Sequence, residues 1–194
     1  MAENAPVAGL LLAAGAGRRF GGPKALAELD GQPLVLRALA TLSTAGCHPI
    51  RVVVGAAAEQ VRALLPDPGQ AVFADGWETG MGASLKAGLA ALAQEPRPVA
   101  ALVHLVDLPW VGAGILTRVA AGATTETVAR ASYDGVPGHP VLLGRRWWPE
   151  IADSAQGDRG ARDWLATRED LTLVECGDLG SGRDVDRRAD LPGR

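Results

Sequence analysis

The sequence predicts an α/β fold in one domain, a mostly parallel open sheet flanked by helices, and three observations carry that expectation. Apolar runs without polar alternation, such as Val7–Ala13 and residues 99–109, read as strands buried on both faces. Helical patterns alternate with these runs over the first 111 residues, an order that right-handed crossovers gather into a single sheet. Gly and Pro fall between the elements, leaving neither a linker nor a repeat over the 194 residues.

The first strand, Val7–Ala13, runs into glycines. Pro33–Leu42 reads as a helix, since proline suits a first turn and Leu34, Arg37, Ala38 and Thr41 recur at helical spacing. Ile50–Val54 follows as a strand, Ala57–Leu65 as a helix, residues 70–75 as a strand and 82–94 as a helix. The apolar run 99–109 then closes on an acid and a proline. In the last third, residues 127–144 read as two strands around a Gly/Pro turn, a small β-hairpin insertion. Helices are expected within 145–151 and 159–168, a closing strand at 171–176, and fraying of the tail "LPGR".

Composition narrows the function classes. Hydrophobic residues at 47% and charged residues at 21% describe a globular chain. A net charge of -3, with 19 scattered Lys and Arg, argues against nucleic-acid binding by broad phosphate neutralisation. No apolar run approaches the ~20 residues of a membrane span, and "MAENAPVAG" lacks a signal-peptide pattern. A cytoplasmic protein is expected, with Cys47 and Cys176 as core thiols.

The segment "LLLAAGAGRRFGGPKAL" (10–26) sets glycines and three cations directly behind a strand. Such a loop suits phosphate, because backbone N–H groups can approach anionic oxygens. It is not a P-loop: Pro23 precedes Lys24 and no hydroxyl follows. The dinucleotide fingerprint also fails, with Phe20 in place of its third glycine and no acid ending the second strand.

The pattern LAAGxGxRxxxxK, carried by Leu12, Ala13, Ala14, Gly15, Gly17, Arg19, Pro23 and Lys24, resembles nucleotidyltransferases of the molybdenum-cofactor type, within the GT-A-like superfamily. Further blocks resemble the cytidylyltransferase subgroup in family order: "ETGMGASLKAGL" (78–89), "LVDLPWV" (105–111), "GHPVLLGRRWW" (138–148), "GDRGAR" (157–162) and "DVDRRADL" (184–191). The resemblance implies a Rossmann-like domain with a nucleotide-binding half (1–111) and an acceptor-binding half (112–194).

Nucleotidyl transfer attacks the α-phosphorus of an NTP and expels pyrophosphate, so cations must balance a crowded anion. The resemblance assigns Arg19 and Lys24 to the phosphates and to the transition state, and leaves Arg18 as a solvated charge. It assigns Asp107 to Mg²⁺, with Asp186 as second ligand and Asp184 as the neighbouring alternative; two carboxylates plus phosphate oxygens suit that ion. Gly80, Gly82 and Ser84 are expected against base or ribose, although Ser84 also suits an N-cap. His139, Asp158 and Arg162 are expected on the acceptor, although His139 equally suits packing and Asp158 a helix start. Trp147, Trp148 and Trp164 read as packing residues.

Ala14, where guanylyl-transferring relatives carry glycine, implies CTP as substrate. The acceptor implied is molybdopterin, with a molybdoenzyme or its chaperone as recipient. His104 and Arg187-Arg188-Ala189 depart from the subgroup pattern. Three rival readings stand beside this one: a nicotine blue oxidoreductase-like enzyme using a reduced pyridine nucleotide, a non-catalytic cofactor carrier, and transfer to another phosphorylated small molecule.

Overall fold

Val7–Leu12 (β1) forms the axis of the sheet, with Leu10 and Leu11 fully buried on opposite faces. The computed structural model describes residues 6–192, so the reading of the first five residues and of the last two in the tail lies outside the described residues. After the glycine loop, Glu28–Leu29 (β2) and Gln32–Pro33 (β3) make a small hairpin. Its turn, Asp30-Gly31, has φ of 54° and 74°, the left-handed pair that two-residue hairpins favour.

Leu34–Thr44 (α1) leads to Ile50–Val54 (β4), Ala58–Leu64 (α2) to Ala71–Phe73 (β5), and Met81–Ala93 (α3) to Ala100–Leu105 (β6). Ala113–Ala120 (α4), Val128–Tyr133 (β7), Val136–Gly144 (β8), Trp148–Ser154 (α5), Arg162–Ala166 (α6) and Thr172–Glu175 (β9) complete the order. The seven-stranded sheet runs β5-β4-β1-β6-β8-β7-β9. Its β4/β5, β1/β4, β1/β6 and β7/β9 pairs are parallel, and β6/β8 and β7/β8 antiparallel.

The chain leaves β1 toward β4 and β5, then returns to β6 on the other side of β1. Helices α1 and α4 cover one face through Leu34, Leu42, Ile115 and Leu116. Helices α3, α5 and α6 cover the other through Leu85, Leu89, Ile151 and Trp164. Each fully buried leucine contributes about 1.5–3 kcal/mol, so the two apolar layers hold the sheet between them. The strand order reverses between β1 and β6, and Leu12 is registered with Leu105 there. Ligands of open α/β sheets bind beyond the carboxyl ends of strands at such a point.

Several elements differ from expectation. The apolar run 99–109 is a strand only to Leu105; Asp107 lies in the turn beyond it. The 127–144 hairpin extends the main sheet, because β8 pairs directly with β6. Helix α4, absent from the reading, buries Ile115, Leu116 and Val119. Residues 159–168 are helical only from Arg162 to Ala166, since Gly157–Arg159 is a 3-10 turn and Gly160 has φ 54°.

Two polar devices tie the second half to the first. Arg145 donates to the carbonyls of Ala93, Glu95 and Pro98 at 2.9, 2.6 and 3.1 Å, satisfying one carbonyl at the end of α3 and two in the connection to β6. Glu175 accepts from the Asp134, Gly135 and Gly177 N–H groups and from the Ser132 hydroxyl, which fastens the β7–β8 turn to β9. These backbone donors hold its carboxyl at about 2. Cys47 and Cys176 are buried free thiols. Among the described residues no helix is long and apolar enough to cross a membrane.

His104 is 1% exposed and its Nδ1 lacks a hydrogen-bond partner, so burial pushes its pKa from 6.5 to about 4. The unfolded chain therefore binds a proton that the native one refuses. Thermal unfolding followed from pH 8 to 4 should show stability constant above 6.5 and falling below it, by an amount on the order of 3 kcal/mol from this residue. Replacing the imidazole, His104→Phe, should make that limb shallower by this share, leaving the part due to the buried His139; an unchanged slope would show that His104 does not contribute to it.

Candidate functional site

The loop after β1 closes on itself. The Gly21 and Gly22 N–H groups donate to the Gly17 carbonyl at 2.8 and 3.1 Å. Gly17 has φ 60°, and a Cβ there would lie 1.9 Å from the Gly22 oxygen, so only glycine fits. Phe20, in place of the third glycine of a dinucleotide loop, is 4% exposed and packs under the Arg188 guanidinium at 5.0 Å. The terminal segment thus clamps the loop from outside.

Lys24 stands at the end of this loop and donates to the Asp107 carboxylate at 2.9 Å. The same ammonium lies 3.8 Å from Asp186, and Arg19 lies 3.5 Å from the other oxygen of that carboxylate. The Val185 N–H donates to the Asp107 carbonyl at 2.9 Å, and the Val185 side chain is fully buried. Asp190 then accepts from the Asp186 and Arg187 N–H groups at 2.9 and 2.7 Å, which orients Asp186.

A cavity of about 580 Å³ opens over these groups. Leu12, Ala14, Gly15, Gly17, Arg19, Lys24, Gly80, Ser84, Asp107, Asp158 and Asp186 all line it, together with Arg18. Asp184 is exposed and does not line it. Ala13 and Gly82, expected against the nucleotide, do not line it either. Ala13 is buried in the opposite core layer. At Gly82 a Cβ would meet the Gln156 nitrogen at 2.9 Å, so its smallness serves helix packing. At Gly80 a Cβ would lie 2.6 Å from the Asp158 nitrogen, so a bare backbone there lets Asp158 reach the cavity. Trp77 and Glu78 line the cavity and were missed; their place just before "TGMG" is the available signal.

A second cavity of about 760 Å³ shares Leu12, Met81 and Asp158 with the first. Leu85, Val103, Val141, Leu143 and Leu165 make its wall apolar. His139 and Arg162 lie here, away from Lys24 and Asp107. Burial, and then the Arg130 charge, push the His139 imidazole down to about 3, so it is neutral. Arg130 also lines this chamber and was not anticipated, because a lone arginine in a strand carries no motif.

Asp107 and Asp186 converge on one cation, Lys24, and are the carboxylates of the cavity placed to share a metal. Among the described residues no group of three or more His, Cys, Asp or Glu could hold one. The donor set suits an ion that takes its remaining ligands from phosphate and water, as Mg²⁺ does.

Comparison with known proteins agrees with this geometry. Residues 9–172 match the family described as MobA-like NTP transferase domain. A nicotine blue oxidoreductase from Paenarthrobacter nicotinovorans is 37% identical over 93% of this chain and 92% of its own. A molybdenum cofactor guanylyltransferase from Rhizobium johnstonii is 31% identical over 89% of this chain and 80% of its own. The crystal structure of Rv0371c from Mycobacterium tuberculosis H37Rv superposes with a TM-score of 0.80, at 26% identity, covering 97% of this chain and 96% of that one.

The two loop glycines should separate folding from binding. No atom lies within 4 Å of a Cβ built on Gly15, which lines the cavity. Gly15→Ala is therefore expected to leave the melting temperature within the roughly 0.5 kcal/mol range of neutral substitutions while weakening NTP binding at least tenfold in calorimetric titration. Gly17→Ala should lower both, because it breaks the loop itself.

Proposed function

The chain belongs to the MobA-like NTP transferase domain family, and from that premise we propose that it is a divalent-metal-dependent nucleotidyltransferase acting on a small molecule with a broad apolar body. The observation that carries this reading is Lys24 held between Asp107 and Asp186 at the mouth of a glycine loop. In this reading the triphosphate lies along Gly15 and Gly17, where Arg19 and Lys24 balance its charge. Asp107 and Asp186 would hold Mg²⁺, which supplies charge neutralisation at the α-phosphate. A nucleophilic oxygen of the acceptor attacks the α-phosphorus, the new P–O bond forms, and the bond to the β-phosphate oxygen breaks to release pyrophosphate. In the same reading base and ribose lie against Ser84, Trp77 and the Ala14 backbone, which line the cavity.

The narrower form, CMP transfer from CTP to molybdopterin with delivery to a molybdoenzyme, fits the second chamber less well. A pterin is rich in hydrogen-bonding groups, and those facing the apolar wall of Leu85, Val103, Val141, Leu143 and Leu165, away from Arg130, Asp158 and Arg162, would be left unpaired. Another acceptor, with fewer polar atoms, suits it better. A second reading has its own support: the relative named nicotine blue oxidoreductase aligns over nearly both full lengths. In that reading the first chamber takes a reduced pyridine nucleotide and the second a heterocycle that accepts hydride.

Thermal shift with Mg²⁺ plus CTP, GTP, ATP, UTP or NADPH distinguishes the readings. Nucleotidyl transfer expects a Mg²⁺-dependent rise with one NTP, roughly 5–10 °C at a hundredfold excess over Kd. Asp107→Ala should abolish that rise and also the pyrophosphate release that accompanies turnover. A rise with NADPH that ignores Mg²⁺ and Asp107, with none for any NTP, would overturn it in favour of the redox reading.

A further inference from the structure

The apolar chamber contains a charge arrangement that its walls do not explain. Arg130 projects from β7 on the face shared with Val141 and Leu143, and it is half-buried. Its Nε donates to the Gly138 carbonyl at 3.1 Å. Arg162, at the start of α6, lines the same chamber. Among the described residues neither guanidinium forms an ion pair with a carboxylate. The neighbouring Arg159 is already matched, by Asp163 at 3.0 Å. Asp158, the carboxylate of this chamber, pairs with neither arginine and sits at the boundary with the nucleotide chamber.

Burial first, and the Arg162 charge second, hold the Arg130 guanidinium below its usual value, so the two cations feel one another. His139 beside them is neutral and offers no counter-charge. Two like charges on an apolar wall are costly unless an anion joins them, and a guanidinium pair presents flat forks that match carboxylate or phosphate oxygens.

We propose that Arg130 and Arg162 form an anion clamp in the second chamber, and that the acceptor is a flat, largely apolar molecule carrying a carboxylate or phosphate distinct from its reacting group. This rests on reading the second chamber as the acceptor's. The clamp lies among residues that do not include Lys24, Asp107 or Asp186, so the anion it takes is not the one undergoing transfer. It orients the acceptor with its charged end at Arg130 and its reacting end toward Asp158 and the shared boundary.

Calorimetric titration with naphthalene-2-carboxylate and its neutral isostere naphthalene-2-carboxamide tests the clamp. The full chain should bind the carboxylate at least tenfold more tightly, with a preference that weakens as salt is raised. Arg130→Gln and Arg162→Gln should each bring the ratio close to one while leaving the carboxamide affinity unchanged, which also shows that the chamber is intact. Lys24→Gln should leave the ratio as it is. Equal affinity for the two probes, a preference that survives the Arg130→Gln/Arg162→Gln double variant, or one lost with Lys24 would each overturn the clamp. Failure to bind either probe would overturn it together with the acceptor chamber. Nucleotide-dependent thermal shift reports separately on nucleotidyl transfer, so the clamp can stand where that reading falls.

Discussion

One ammonium group holds the site together. Lys24 comes from the loop after β1, Asp107 from the turn after β6 and Asp186 from the terminal segment, and Lys24 is within 4 Å of both carboxylates. Unit charges at that distance interact by about 4 kcal/mol at an effective dielectric of 20, and by less at Asp186, whose side chain is 38% exposed. Two carboxylates gathered beyond adjacent strand ends would repel without this cation. The terminal segment adds its own fastenings, Val185 on the Asp107 carbonyl and Arg188 over Phe20. The same residues that can neutralise a polyphosphate thus also hold the cleft in shape.

That dependence explains why much of the site was legible in the chain. Gly17, Lys24 and Asp107 stand where strand ends must deliver them: β1 and β6 are neighbours in register, so the segments that follow emerge side by side. Apolar runs were enough for β1, β4 and β6, because those strands are buried on both faces, and alternation with helices placed the edge strand β5 beside them. Legibility failed where tertiary contact decides. Ala13 and Gly82 sit in the right motifs yet face packing partners, since a motif specifies spacing and not which face a side chain takes. Helix α4 carried a readable signal that went unused, since Ile115, Leu116 and Val119 recur at helical spacing just after Gly112. The Asp30-Gly31 turn, by contrast, was a readable hairpin signal that went unused.

The second half of the chain carries a different logic. Strand β8 runs antiparallel to β6, which continues the sheet past the nucleotide chamber and exposes Val141 and Leu143 to the second cavity. Arg145 and Glu175 pin this extension by backbone contacts and leave its inward side chains free to vary. The first chamber is thus lined largely from the loops after β1 and β6, whereas β7 and β8 line the second alone, and the two share Leu12, Met81 and Asp158.

Such a division lets one scaffold host distinct chemistries, because a glycine loop recognises a polyphosphate whatever reaction the rest of the molecule undergoes. What separates group transfer from hydride transfer is then the carboxylate pair. A hydride needs no cation between two aspartates, whereas in-line displacement at phosphorus develops charge that a metal held there would neutralise. This chain keeps Asp107 and Asp186 converged and spends backbone hydrogen bonds from Asp190 to aim the second of them. Convergence of like charges is unfavourable by itself, so its presence here weighs toward phosphorus chemistry in the first chamber, whatever molecule the apolar second chamber takes.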